Sequence, residues 1–383
     1  MKRFLLAILL FTLGLSFPAR AQFVVPGDDP ACLRWYSLES PFYNIIYPEG
    51  ADSLARSYAR LLEQFRRPMG ASIGFTPGEG LRKKMPIVLH TRHVYSNGSV
   101  AWAPRRFDLF TLPQAYGSEP TPWDIQLASH EPRHQAQLQA WSRSFGRPLN
   151  WLIGQGWNPV GWQVYIGRTF GEGDAVVAET GLWKGNRART ADFLDYYRMA
   201  FDQGDFRNWS GWRYDSFKHY VPDVYALGYL TLAGGRYFYN RPSLLAESVA
   251  SALKNPFRLA PWNVQHHIAR AGGKESFKTA FRDLQERYDS LWRAEAALRG
   301  PSTPLERLSG EEAFPVFYDS PVAVGDGFYL LRSGYAHARE LVRWQDGRMQ
   351  SVRPFAHHAS RQGPSACPAR FPTSRGGRAR GPD

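Results

Sequence analysis

The sequence predicts an α+β protein: an N-terminal mixed-sheet part, a mainly helical part after it, and a short β segment near the end. Three observations carry that prediction. Strand-like and helix-like stretches alternate up to about residue 115. Apolar residues then recur at helical spacing almost to residue 298. Beyond residue 320, short apolar runs are punctuated by Gly and Asp-Gly turns. With 383 residues, 43% of them hydrophobic and 15% aromatic, the chain can bury one large or two ordinary cores and is too apolar to be disordered throughout.

Residues 1–21 place Lys2 and Arg3 before an apolar run and end in Ala19-Arg20-Ala21. That is the pattern of a secretory signal peptide, with cleavage expected before Gln22. The mature chain is expected to be exported, to the periplasm, the cell envelope or the extracellular space. The apolar run falls short of the roughly 20 residues a membrane helix needs, and no later stretch approaches that length, so no membrane span is expected.

Residues 22–115 read as an α/β subdomain. FYNIIYP (42–48) alternates like a short strand, and ADSLARSYARLLEQFRRPMG (51–70) has helical spacing up to a Pro and Gly stop. MPIVLH (85–90) reads as a buried strand, and the turn SNG (96–98) leads into the strand candidates SVAWAP and FDLFTLP. Residues 116–298 read as a mainly helical subdomain. It opens on TPWD, with Thr121 as N-cap, Pro122 at the first helical position and Asp124 at the capping-box position. Further helices are expected over 188–203, 222–233, 243–254 and 274–298. The last aligns Phe277, Phe281, Leu284, Tyr288 and Leu291 on one face.

Pro, Gly and Ser mark 299–320 as a linker. Residues 321–356 are similar to the opening of a β-propeller blade, a partial one, because a propeller closes only with several blades. Residues 357–383 lose periodicity and become an Arg/Gly/Pro-rich tail expected to be disordered, as in a truncated or frame-shifted end of a longer protein.

The formal charge of +13 raises nucleic acid as a partner. The excess is mostly arginine scattered along the chain and concentrated in the tail, and with export expected it argues against nucleic-acid binding. Cys32 and Cys367 could pair in an oxidising compartment, and the sequence leaves this open. Oligomeric state is equally open.

The chemistry concentrates in LASHEPRHQAQ, an HExxH pattern. On a helix, His130 and His134 lie four apart on one face and reach one ion, while Glu131 stands beside it as a general base. Pro132 interrupts the motif. In a helix interior it removes the hydrogen bond to the Ala128 carbonyl and clashes with it, about 3 kcal/mol, and it restricts Glu131. A helix restarting with Ser129 as N-cap would avoid this by placing Pro132 in a first turn, with a kink between Leu127 and Ser129. A hydrolytic metal site needs a third protein ligand and an open position, and Glu172 in EGDAVVAET is the carboxylate candidate.

This element resembles the W-x-x-E-G-x-A element of gluzincin metallopeptidases, with Thr169 where that element carries Trp. FYNIIYPEGADSLA, IVLHTRHVYSNGSVAWAPRRFDLFTLP, LASHEPRHQAQ and EGDAVVAET occur in the order found in exported peptidase-MA-like proteins that carry a TolB-like β-propeller behind the peptidase domain. The likeness covers roughly residues 36–356. It implies a gluzincin-like peptidase domain over 22–298 and a Zn2+ cofactor held by His130, His134 and Glu172. Glu131 would be the general base toward zinc-activated water, and a peptide or protein would be the substrate. It also implies that SNGSVAWAP is an edge strand that pairs with extended peptide.

An oxyanion donor is sought in KHYVPDVYALGYL, where Tyr225 is the leading candidate over Tyr229 and His219. Glu179, on the face of Glu172, either orients a histidine or is an ordinary surface or capping group, the simpler reading. His90 and His93, in HTRH, flank a strand end and could bind a metal, but a polar loop is the better account. Two functions stay open at this point: a zinc metallopeptidase, or a peptidase-derived binding or scaffold protein of the cell envelope without turnover.

Overall fold

A computed structural model describes residues 29–114, 119–259, 262–300, 303–304 and 306–355. The expected signal peptide, the 357–383 tail and Cys367 lie outside the described residues. The fold is mixed α+β with two separate sheets.

The first sheet holds β1 (Trp35–Glu39), β2 (Tyr43–Pro48), β3 (Met85–His90), β4 (Gly98–Trp102) and β5 (Arg105–Phe110), in the order β1-β2-β3-β5-β4. The β2–β3 and β3–β5 pairs are parallel, and the two outer pairs are antiparallel. A parallel β2–β3 pair needs a crossover, and α1 (Asp52–Ala71) supplies it. Register puts Ile45 beside Ile87 and Ile87 beside Phe107. With Tyr43, Met85 and Leu89 these make a continuous apolar face, against which α1 lays Ala55, Tyr58, Leu62, Phe65 and Met69. The helix passes through Pro68 to Ala71, so this packing outweighs the expected stop. β1, which the pattern reading passed over, is mostly exposed and carries little periodic signal.

The helical part begins with α2 (Trp123–Gln139), α3 (Gly146–Ile153), α4 (Trp157–Tyr165), α5 (Arg168–Leu182), α6 (Asp195–Asp202) and α7 (Trp209–Arg213). It continues through α8 (Val224–Phe238), α9 (Leu244–Lys254), α10 (Pro256–Leu259), α11 (Asn263–Ala271) and α12 (Phe277–Arg299). Three expectations are corrected here. First, α2 starts at Trp123 with Pro122 at the N-cap, one residue later than expected. Thr121 does not cap it; the Asp124 carboxylate accepts from the Ile125 N–H at 2.9 Å instead. Second, α2 is unbroken through Pro132, so no new helix restarts at Ser129, whose hydroxyl donates to the Gln126 carbonyl at 3.1 Å. Third, the helix expected over 188–203 is broken: Arg187–Arg189 make a single 3-10 turn, 190–194 are not helical, and α6 begins at Asp195. The preceding segment is pulled back onto α5, Asn186 and Arg189 donating to the carbonyls of Glu179 and Thr180.

Two helices approach unusually closely. A Cβ on Gly173 of α5 would lie 2.1 Å from Gly228 C, and one on Gly228 of α8 would lie 1.9 Å from Thr169 O. Only glycine on both sides allows this contact, which sets the Glu172-bearing helix against the Tyr225-bearing one. Asp223 caps α8 by accepting from the Ala226 N–H.

The second sheet is an antiparallel meander of β6 (Val316–Val324), β7 (Gly327–Gly334), β8 (Glu340–Gln345) and β9 (Arg348–Pro354). Its first strand starts inside the stretch expected to be linker. Val342 is its one buried hydrophobic side chain among the described residues, while Val322, Val324 and Val352 are exposed. It meets the helical part where Phe317 stands edge-on to Tyr220 and the Tyr335 hydroxyl bonds Asp215. Among the described residues no helix is long and apolar enough to cross a membrane.

Candidate metal centre

The centre is built where α2 crosses α5 beneath the edge strand β4. Because α2 stays helical, His130 and His134 keep their one-turn relation and both present Nε2 to the same point, 3.1 Å apart. Glu172 of α5 brings Oε2 to 3.0 Å from His134 Nε2 and 3.5 Å from His130 Nε2. A tetrahedral ion with bonds of about 2.0–2.1 Å separates its ligands by roughly 3.3 Å. The three edges match that spacing, so two imidazoles and a carboxylate form a donor set of the right size for a divalent ion. Glu172 Oε2 is buried and makes no regular hydrogen bond. That is the state of an atom shaped for a ligand outside the chain.

Each histidine is oriented from behind. His130 Nδ1 donates to Glu179 Oε2 at 2.8 Å, and Arg187 Nε donates to the other Glu179 oxygen at 2.9 Å. His134 Nδ1 donates to Gln137 Oε1 at 3.1 Å, an oxygen that also accepts from Trp162 Nε1 at 3.0 Å. Gln137 in turn donates to Asp174 and to the Gly171 carbonyl. With both Nδ1 protons committed, Nε2 is the nitrogen each ring turns to Glu172, and it is there that a neutral ring would offer its lone pair to an ion. Glu179 is fully buried, so the surface or capping reading of this residue gives way to an orienting one.

The scaffold beneath is an ion pair inside the two motifs. Arg133, between Pro132 and His134, is fully buried and grips Asp174 through Nε at 2.5 Å and a second nitrogen at 2.9 Å. Its remaining nitrogen donates to the Met69 carbonyl at 2.6 Å, tying α1 to α2 and α5. Sequence reasoning missed this pair, although Arg beside the second histidine and Asp two residues after the glutamate were the available signals. Nothing local in the sequence singles out Arg187; it joins the site through the fold.

Electrostatics follow from this network. Burial disfavours the His130 imidazolium, but Glu179 and Glu172 outweigh it and push its pKa up to about 10 in the metal-free chain. His134 is raised against burial by Glu172. Although burial acts to raise them, Glu172 is held far below the usual carboxylate range by His134 and His130, and Glu179 is lowered by Arg187 and His130. Glu131 is shifted upward, chiefly by burial.

Glu131 has one buried oxygen without a partner, and its other oxygen lies against Gly98, where a Cβ would come within 2.4 Å. Pro132 therefore leaves Glu131 at the site. These groups line a cleft of about 580 Å3, walled by β4 from Gly98 to Trp102. Among the described residues β4 pairs only with β5, which leaves its outer edge open. Tyr225 lines the same cleft, its ring centroid 6.2 Å from that of His130 and the Arg187 guanidinium 5.4 Å from its own. Burial raises the Tyr225 phenol, with Glu172 and Glu131 adding to the shift, so it stays a donor at neutral pH. Tyr229 packs edge-on against Phe193, and His219 lies on the exposed 216–219 turn, so neither joins the centre.

His90 and His93 are not simple polar loop residues. His90 is buried, stacks on Phe110, and places its two ring nitrogens 2.6 Å from Asp29 and 3.3 Å from Asp108. No family model matches the chain, and no curated protein matches it.

Proposed function

We propose that the protein is an exported, gluzincin-type zinc metallopeptidase that hydrolyses extended peptides. The reading is carried by one observation: two imidazole nitrogens and a carboxylate oxygen converge at metal-ligand spacing in a cleft that also holds Glu131 and an open strand edge. His130, His134 and Glu172 would hold zinc, which supplies Lewis acidity and a coordination position for water and for the substrate carbonyl.

The remaining steps belong to the chain. The outer edge of β4 pairs with the peptide backbone and fixes its direction. Glu131, raised by burial and free at one oxygen, takes the proton from the attacking water and passes it to the leaving amine. Tyr225, kept protonated, donates to the oxyanion. The four-stranded meander β6–β9 has the strand count and order of one propeller blade, which supports the TolB-like resemblance for the C-terminal segment.

The test is zinc content together with peptide cleavage by the mature protein and by Glu131→Gln. Stoichiometric zinc in both, with cleavage lost only in the variant, supports the proposal. Zinc with no cleavage of any peptide in a broad library moves the assignment to the peptidase-derived scaffold. No zinc in the wild type removes it.

A further inference from the structure

We propose a second, separate metal site formed by Asp29, His90 and His93, taking a divalent ion of the zinc class. His93 Nε2 and His90 Nδ1 face the two oxygens of the single Asp29 carboxylate, at 3.1 and 2.6 Å. The three ligand atoms lie within 4.8 Å of one another, and His90 is buried. Two imidazoles and one carboxylate are a borderline-soft donor set, suited to zinc or cobalt rather than to magnesium or calcium.

The surroundings of His90 support this reading independently. Its Nε2 donates to Asp108 at 3.3 Å and its Nδ1 to Asp29 at 2.6 Å, so it is the loss of the Nδ1 proton that would turn a lone pair toward an ion. Asp108 is itself held by Arg106 Nε, at 2.9 and 3.1 Å. A carboxylate behind a histidine whose other nitrogen faces a ligand set is the arrangement that orients metal-bound imidazoles. The ring is further fixed by stacking on Phe110, with centroids 4.6 Å apart. Entry of the ion requires the Asp29–His90 edge to widen by about 0.7 Å toward the roughly 3.3 Å of a tetrahedral site. Turning the Asp29 carboxylate, on a loop before β1, supplies that movement.

The site would fasten the start of the mature chain to the end of β3 and to the loop that leads into edge strand β4. Asp108 also lines the cleft, so the two sites share one wall. The same three side chains could instead form a charged imidazole clamp with no ion, and metal uptake separates these alternatives.

The experiment is cobalt titration of metal-free mature protein, followed by d–d absorption, with bound metal counted by mass spectrometry after desalting. Wild type is expected to take two equivalents. His134→Ala/Glu172→Gln should keep one, and adding either Asp29→Asn or His93→Ala should remove it. The proposal is overturned if the wild type takes a single equivalent that disappears in His134→Ala/Glu172→Gln. It is also overturned if that double variant, folded by circular dichroism, binds none, or if its one equivalent survives both additional substitutions. A single wild-type equivalent that survives the double variant but is lost with His93→Ala would retain this site and sink the zinc peptidase reading.

Discussion

Glu179→Gln tests whether the metal centre depends on how His130 is held. Glu179 accepts from two donors, His130 Nδ1–H and Arg187 Nε–H, one on each oxygen. A glutamine of the same shape has one carbonyl oxygen, so it satisfies one donor and points its amide N–H2 at the other. One unsatisfied buried donor costs about 1–3 kcal/mol. Loss of an oriented carboxylate behind a metal-bound histidine costs about 10–100-fold in affinity, or roughly 1.4–2.7 kcal/mol, and the two estimates agree. Zinc affinity, measured by competition with a chromogenic chelator, should therefore fall by about 10–100-fold in the glutamine variant. Glu179→Ala should do more, because the Arg187 guanidinium loses its buried counter-ion, and breaking such a pair costs about 3–5 kcal/mol of stability. A folded Glu179→Gln protein that binds zinc within about twofold of wild type would refute the reasoning.

Other expectations follow from single contacts. Gly98→Ala places a methyl 2.4 Å from Glu131 Oε1 and 2.7 Å from Leu127 Cδ2; it should cost about 1–3 kcal/mol and reduce peptide cleavage more than zinc content, measured side by side. Pro132→Ala restores the N–H facing the Ala128 carbonyl and should stabilise by about 1–3 kcal/mol, read as a raised melting temperature, and an unchanged or lower one counts against strain at this position. In the metal-free chain the His130 pKa rises from 6.5 to about 10. Its stabilising contribution is thus full below pH 6.5 and lost as pH rises through 10, so metal-free melting temperatures should decline over that window. Zinc reverses the trend, because both imidazoles must release protons to bind it, so zinc affinity should climb with pH across the same range. Stability of the metal-free chain that increases toward pH 10 would contradict the pairing.

Much of the frame was legible because its signals are local. The apolar run MPIVLH and the alternation in FYNIIYP become the buried parallel pair of β3 and β2, and the spacing of Phe277, Phe281, Leu284 and Tyr288 becomes the packed face of α12. Boundaries failed where a tertiary contact outweighs local preference. The helix expected over 188–203 gives way to a 3-10 turn at Arg187–Arg189 and a non-helical 190–194, because Asn186, Arg187 and Arg189 are spent on α5. His130 and His134 were readable as ligand candidates from their one-turn spacing, and Glu172 from the resemblance of its EG-x-A element. Arg187 and Asp29 were not: Arg187 reaches Glu179, behind His130, only once the chain after α5 turns back on it, and Asp29 reaches His90 only once segments 61 residues apart fold together.

Pro132 shows how those levels meet. By local propensity it should break α2, and the expected escape was a new helix with Ser129 at its cap. The chain instead keeps one helix, and the neighbouring residues explain why. Arg133 is locked to Asp174 and Met69, His130 to Glu179, and His134 to Gln137. A kink at Leu127–Ser129 would swing all three side chains away from α1 and α5 together. The lost hydrogen bond at Pro132 costs about 3 kcal/mol, while breaking the buried Arg133–Asp174 pair alone costs about 3–5 kcal/mol. Keeping the helix is therefore the lesser penalty, and the motif tolerates its proline because its other residues are fastened to α1 and α5. Replacing Asp174 should then expose the weakness: Asp174→Asn should lower zinc affinity through disorder of α2 near Pro132, and Asp174→Asn/Pro132→Ala should recover most of it. Equal zinc affinity in the single and double variants would show that the proline imposes no latent strain.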